Sequence, residues 1–164
     1  MGYTHYWRQL RDFTDTEWQE LMRLTKLITA SSGRDIILSE FNINNEEIRF
    51  NGYGEEGHET FLITKKKRAK ADYEEQDAYD KEGAFDFCKT AHKPYDKYVV
   101  AVLCAIYRVQ RDIMNISSDG NTADWTEGLF HAVRSTRKEE MYCPIRDCLT
   151  LSYVDYVDQE KKTG

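Results

Sequence analysis

Residues 36–64, IILSEFNINNEEIRFNGYGEEGHETFLIT, decide the fold class. Three short runs, Ile36 to Phe41, Glu47 to Phe50 and Thr60 to Thr64, carry β-branched and aromatic residues. They are cut apart by Asn42-Ile43-Asn44-Asn45 and by the glycine-rich Asn51-Gly52-Tyr53-Gly54-Glu55-Glu56-Gly57. Asn and Gly reach left-handed backbone conformations at low cost and favour tight reversals. Strands that follow one another through such turns form an antiparallel meander. A doubly wound parallel sheet would need a helix after each strand. The stretch therefore predicts an α+β fold, with an antiparallel or mixed sheet covered by about three helices.

The segments on either side fit that class. Tyr3 to Leu10 is aromatic-rich and predicts a strand tied into a sheet, with Tyr3, His5 and Trp7 on one face and Thr4, Tyr6 and Arg8 on the other. Thr14-Asp15-Thr16-Glu17 has capping-box spacing, and Trp18, Leu21, Met22, Leu24 and Ile28 make a helical stripe that stops at Ser31-Ser32-Gly33. Lys66 to Glu82 reads as a long, charged, solvated excursion before a strand at Ala84 to Thr90. Pro94 suits the first turn of a second helix from Tyr95 to Met114. Val99, Val100, Val102, Leu103, Ile106 and Val109 leave that helix little polar face, so it belongs at the centre of the core. Ile116 to Gly120 is a short strand or turn. Asp124-Trp125-Thr126-Glu127 caps a third helix that carries Leu129, Phe130 and Val133, and Leu149 to Val157 gives a last strand. The expectation is one domain over residues 1–158, with a charged tail at 159–164.

The chain's 164 residues are enough to bury a core without metal or disulfide staples. With 29 acidic and 23 basic residues, a formal charge of −6 argues against nucleic acid as the main partner, since phosphate binding needs a dense positive surface. The one basic run, Lys65 to Arg68 with Lys70, is followed at once by acidic residues. Cys88 and Cys104 lie in apolar runs and read as small buried hydrophobes, which fits a cytoplasmic location. Cys143 and Cys148 lack the second ligand pair that a zinc site needs. No apolar stretch approaches the roughly 20 residues of a membrane span, and no cofactor, metal or membrane partner is expected.

Several catalytic patterns are missing: the zinc-peptidase helix after His58-Glu59, a nucleophile elbow and a phosphate-binding loop. Three polar clusters remain. His58, beside Glu59 at a strand entry, offers acid/base or ligand-gripping chemistry, although neighbours on a strand face opposite ways. Lys89, His92 and Lys93 join a strand to the central helix, where positive charge and free helix amides suit an anion. Ser118 and Asp119 in Ser117-Ser118-Asp119-Gly120-Asn121 precede another helix, where an Asx turn or a ligand contact would each explain them. Proximity of the second and third clusters would make a joint site.

The opening Met1-Gly2-Tyr3-Thr4-His5-Tyr6-Trp7, the segment from Phe87 to Asp96 and Ser117-Ser118-Asp119-Gly120 resemble a family of uncharacterised small proteins of bacteriophages and bacterial genomes. The resemblance implies a phage or mobile-element accessory protein, acting in the host cytoplasm, and assigns no catalytic residue. The sequence thus leads to a non-enzymatic binder of a small anionic ligand or a host protein, with a homodimer compatible. An enzyme of unfamiliar type using His58, Asp119 or Cys88 on a small phosphorylated or polar substrate, and a structural or assembly component, are the alternatives.

Overall fold

The computed structural model describes residues 2–34, 36–137, 140–145 and, in their backbone, 150–151. Its first strand, β1 (Thr4–Gln9), lies at the centre of a three-stranded antiparallel sheet between β5 (Ala84–Lys89) and β6 (Met114–Ser118). The register pairs His5 with Cys88 on one side and with Ser118 on the other. The residue-36–64 meander forms a second antiparallel sheet of β2 (Leu38–Ile43), β3 (Glu47–Gly52) and β4 (Phe61–Thr64). The fold is α+β, as the meander implies. The strands divide into two sheets because β1 takes its partners from far along the chain. A further pair, β7 (Met141–Tyr142) with β8 (Thr150–Leu151), is antiparallel too.

Contacts between β1 and β4 help to join the sheets. Trp7 meets Phe61 edge to face at 5.6 Å between ring centroids. The buried Gln9 side chain donates to the carbonyls of Arg11 and Thr64. In β1 the inward-facing His5, Trp7 and Gln9 are buried and Tyr6 and Arg8 are half-buried, as the alternation predicts, whereas Thr4, expected on the outer face, is buried too.

The helices complete the core. α1 (Asp15–Thr29) starts in a capping box between Thr14 and Glu17 and buries Trp18, Leu21, Leu24 and Ile28. α3 (Asp96–Val109) has every residue from Tyr98 to Ile106 buried and packs against α1 and α4 (Thr122–Thr136). Gly128 permits that α3–α4 approach, since a methyl group there would collide with Val100. No helix among the described residues is long and apolar enough to cross a membrane.

Four expectations are corrected. The 66–82 excursion contains a helix, α2 (Gln76–Glu82), so the described helices are four. Its neighbourhood is pinned by Arg68, which pairs with Glu74 and donates to the Phe85 carbonyl. The central helix ends at Val109, where Gln110 turns extended, and Met114 opens β6. The Asp124 segment does not start α4: Asn121 is its cap, and Asp124 is the third-position partner that bonds back to it. The first strand of the meander runs from Leu38 to Ile43 rather than Ile36 to Phe41, so Asn42 and Ile43 pair with β3 instead of forming the break. Of the expected last strand, only Thr150–Leu151 pairs within the described residues. Residues 152–157, Cys148 and the 159–164 tail lie outside them.

Candidate functional site

β1 brings the second and third polar clusters together, and the residue that joins them is His5. It lies on the apolar face of the central strand and is fully buried. Its Nε2 is 2.6 Å from Asp96 Oδ1 in the first turn of α3, and its Nδ1 is 2.8 Å from Ser118 Oγ at the end of β6. Thr90 Oγ1 donates to the same Asp96 oxygen at 2.5 Å.

Counting donors fixes the proton positions. The Gly120 amide and Trp125 Nε1 both donate to Ser118 Oγ, at 3.0 and 3.2 Å. A hydroxyl oxygen has two lone pairs, so the Ser118 proton is left to donate to His5 Nδ1. The His5 proton is then on Nε2, where it donates to Asp96. The result is one directed chain, Ser118 to His5 to Asp96. It ties β1 to the N-terminal ends of two helices.

The same count limits its chemistry. An aspartate, a histidine and a serine within hydrogen-bond reach resemble the machinery that activates a serine nucleophile. Attack requires a free lone pair on the serine oxygen, and here both are engaged. The buried imidazole is likewise closed to a substrate.

Asp119 extends the join. Its carboxylate accepts from the Thr4 amide at 3.1 Å and from the Tyr6 hydroxyl at 3.0 Å, and its own amide donates to the Thr4 carbonyl. Its carboxylate neither caps α4 nor stands free.

The 89–93 segment is held in place by its neighbours. The Lys89 amide donates to Glu59 Oε2 at 2.7 Å, and the Lys89 side chain lies against Gly2. The Lys93 amide closes a turn onto the Thr90 carbonyl. The exposed His92 ring stacks on Tyr3 at 3.6 Å between centroids. The first turn of α3 already holds a carboxylate of its own, Asp96. His58 is exposed in the loop that leads into β4, its amide bonded to Asn51, and makes no described contact with the join. Cys88 is buried, and that burial pushes its thiol pKa up to about 12, so it is not poised as a thiolate.

Two features mark where a ligand would be felt. Ala91 and His92 are consecutive non-glycine residues in the left-handed region, with φ of 53° and 58°. Strain of this kind is held only where the surroundings enforce it, and here the Thr90 and Ala91 amides both donate to the Tyr3 carbonyl. Beneath the His92 ring, Tyr3 is 5 % exposed and its hydroxyl has no hydrogen-bond partner among the described residues. Burial raises its pKa, so the phenol keeps its proton.

Sequence reasoning missed His5, Tyr3, Thr90 and Asp96 as site residues. The signal for His5 was present: it is the imidazole between Tyr3 and Trp7 on a strand's inward face, which requires polar partners. No group of three or more metal-ligating side chains occurs among the described residues. Comparison with protein-family models, curated proteins and solved structures finds no match to this chain.

Proposed function

We propose that the protein is a non-enzymatic ligand-binding protein whose recognition site is the end of the first sheet, around Tyr3, His92 and the Ser118–His5–Asp96 chain. The observation that carries the reading is the buried, unpartnered Tyr3 hydroxyl. An unmade hydrogen bond of this kind costs about 1–3 kcal/mol, whereas His5 and Ser118 behind it are engaged with each other and with Asp96, Gly120 and Trp125. A ligand that presents a carbonyl or carboxylate oxygen would satisfy it. Lys89 and Lys93, on the same junction, supply charge for a carboxylate. The strained, exposed His92 ring is the cover such a ligand displaces. The hydrogen-bonded chain behind is the rigid backing that a precise site needs. A role as a phage or mobile-element accessory protein rests on the resemblance of the three segments that meet here.

Tyr3→Phe tests this. The variant loses a hydroxyl that has no hydrogen-bond partner among the described residues, so it should fold about 1 kcal/mol more stably while retaining less small-molecule ligand in native mass spectrometry. An unchanged ligand profile with raised stability would leave Tyr3 as strain without a role. The spacing of Asp96, His5 and Ser118 favours one second reading, a serine-dependent enzyme. A fluorophosphonate adduct on Ser118 would establish it, and the saturated oxygen predicts none.

A further inference from the structure

A separate part of the molecule, independent of the sheet end, has the character of an anion site. The C-terminal ends of α1 and α4 enclose an open cleft of about 430 Å³ whose polar lining is Arg34, Arg134, Arg137, Ser31, Ser135 and His131. Among the described residues, no carboxylate lines it. This is unexpected in a chain with more acidic than basic residues. Elsewhere, Arg8, Arg11, Arg23, Arg49 and Arg68 each pair with a glutamate. The Arg34 and Arg137 guanidiniums form no ion pair or hydrogen bond among the described residues.

Two of the arginines are placed at a structural cost. His131 is 2 % exposed, and its Nε2 is 2.7 Å from the Ile28 carbonyl, which fixes the proton on that nitrogen. Its Nδ1 is then an acceptor, and it receives Arg134 Nη2 at 3.1 Å. A buried histidine is thereby committed to orienting a guanidinium at the cleft, with the remaining Arg134 donors still to be used. Arg137 ends α4 with φ of 63°, a left-handed conformation at which glycine is the usual residue. Arginines near helix ends also answer the partial negative charge of the last carbonyls, but that role requires neither the strained backbone nor the histidine.

We infer that this cleft binds a compact small molecule carrying a diphosphate, with Arg34, Arg134 and Arg137 as its charge-bearing contacts and Ser31 and Ser135 as additional hydrogen-bonding groups. Guanidinium forks match phosphate oxygens in pairs, and three of them exceed what one phosphate needs. The volume is in the range of small-ligand sites. Among the described residues, the lining offers no aromatic ring on which a nucleobase would stack.

Titration calorimetry of the whole chain with inorganic pyrophosphate tests the inference, with orthophosphate and citrate as comparisons. Pyrophosphate should bind at least tenfold more tightly than either, and its affinity should fall as salt rises. Arg137→Gly is the decisive variant: glycine relaxes the backbone at this position, so the protein should melt no lower than the parent yet bind pyrophosphate at least tenfold more weakly. Arg134→Gln should weaken binding to a similar degree. The inference is overturned if the parent takes up no pyrophosphate at millimolar concentration, if citrate binds equally well, or if Arg137→Gly binds as the parent does. A Tyr3→Phe variant with intact pyrophosphate binding would show that the two sites stand or fall separately.

Discussion

At the scale of single residues, the join through His5 shows how a polar group becomes tolerable in a core. Its neighbours Trp125 and Thr90 are buried, and each places a donor within the same chain of bonds. Such networks are costly when one member is lost, because the remaining donors stay buried and unpaired. Ser118→Ala removes the acceptor of both Trp125 Nε1 and the Gly120 amide, so a loss of roughly 2 kcal/mol or more is expected in denaturant unfolding. Asp119→Ala should cost about 1–2 kcal/mol, since the Thr4 amide and Tyr6 hydroxyl lose their common partner. A change below a few tenths of a kcal/mol in either variant would mean that water replaces the lost group without penalty. The Asp119 carboxylate anchors β1 through Thr4 and Tyr6, a role that depends on β1 being beside it.

At the scale of elements, α1 shows a helix whose start is written locally. Thr14 Oγ1 accepts from the Glu17 amide, Glu17 Oε1 accepts from the Thr14 amide, and Arg11 makes two hydrogen bonds to the Glu17 carboxylate. The Arg11 guanidinium is the main reason that the Glu17 carboxyl is held down at about 2, below its ordinary 4.5. The unfolded chain therefore takes up this proton first as acid is added. The stabilisation is complete above about pH 4.5 and is lost as the pH falls toward 2. Acid melts of Glu17→Gln should show a flatter limb over that window, whereas a parallel limb would place the effect elsewhere. Packing between elements is less local. Gly128→Ala should destabilise by about 1–3 kcal/mol, because the added methyl forces α4 away from Val100 on α3. In an isolated helix the same change would help.

At the scale of the whole molecule, stability should be most sensitive where the fold is most shared. Val102 is fully buried in the helix that touches both α1 and α4. Val102→Asp would bury an unpaired charge and is expected to abolish cooperative folding. A soluble variant with a sharp melting transition would contradict that placement. β1 is the second such element, being central in its sheet with a partner strand on each edge. Trp7→Ala, at the junction of the two sheets, should cost about 3–5 kcal/mol. A loss of less than 1 kcal/mol would mean that the sheets are not coupled through this ring.

Much of this fold is local information. The capping box, the Asn and Gly breaks and the nearly continuous apolar run of α3 identify elements because their physics acts within a few residues. The short α2 escaped because its seven residues bury nothing and carry no stripe. The end of α3 was misread because Ile113 and Met114 prolong its apolar pattern while packing from a turn and a strand. The sites depend on distance in space rather than in sequence. His5 meets Asp96 and Ser118 only because antiparallel pairing places β5 and β6 on either side of β1, and Arg34 faces Arg134 and Arg137 only because α1 and α4 end side by side. By itself, then, the sequence determined the fold class, the buried helix and the polar segments of interest. Which of those groups are spent on each other, and which are left for a ligand, only the tertiary structure decided, because hydrogen bonding and burial are properties of neighbours that the chain brings together on folding.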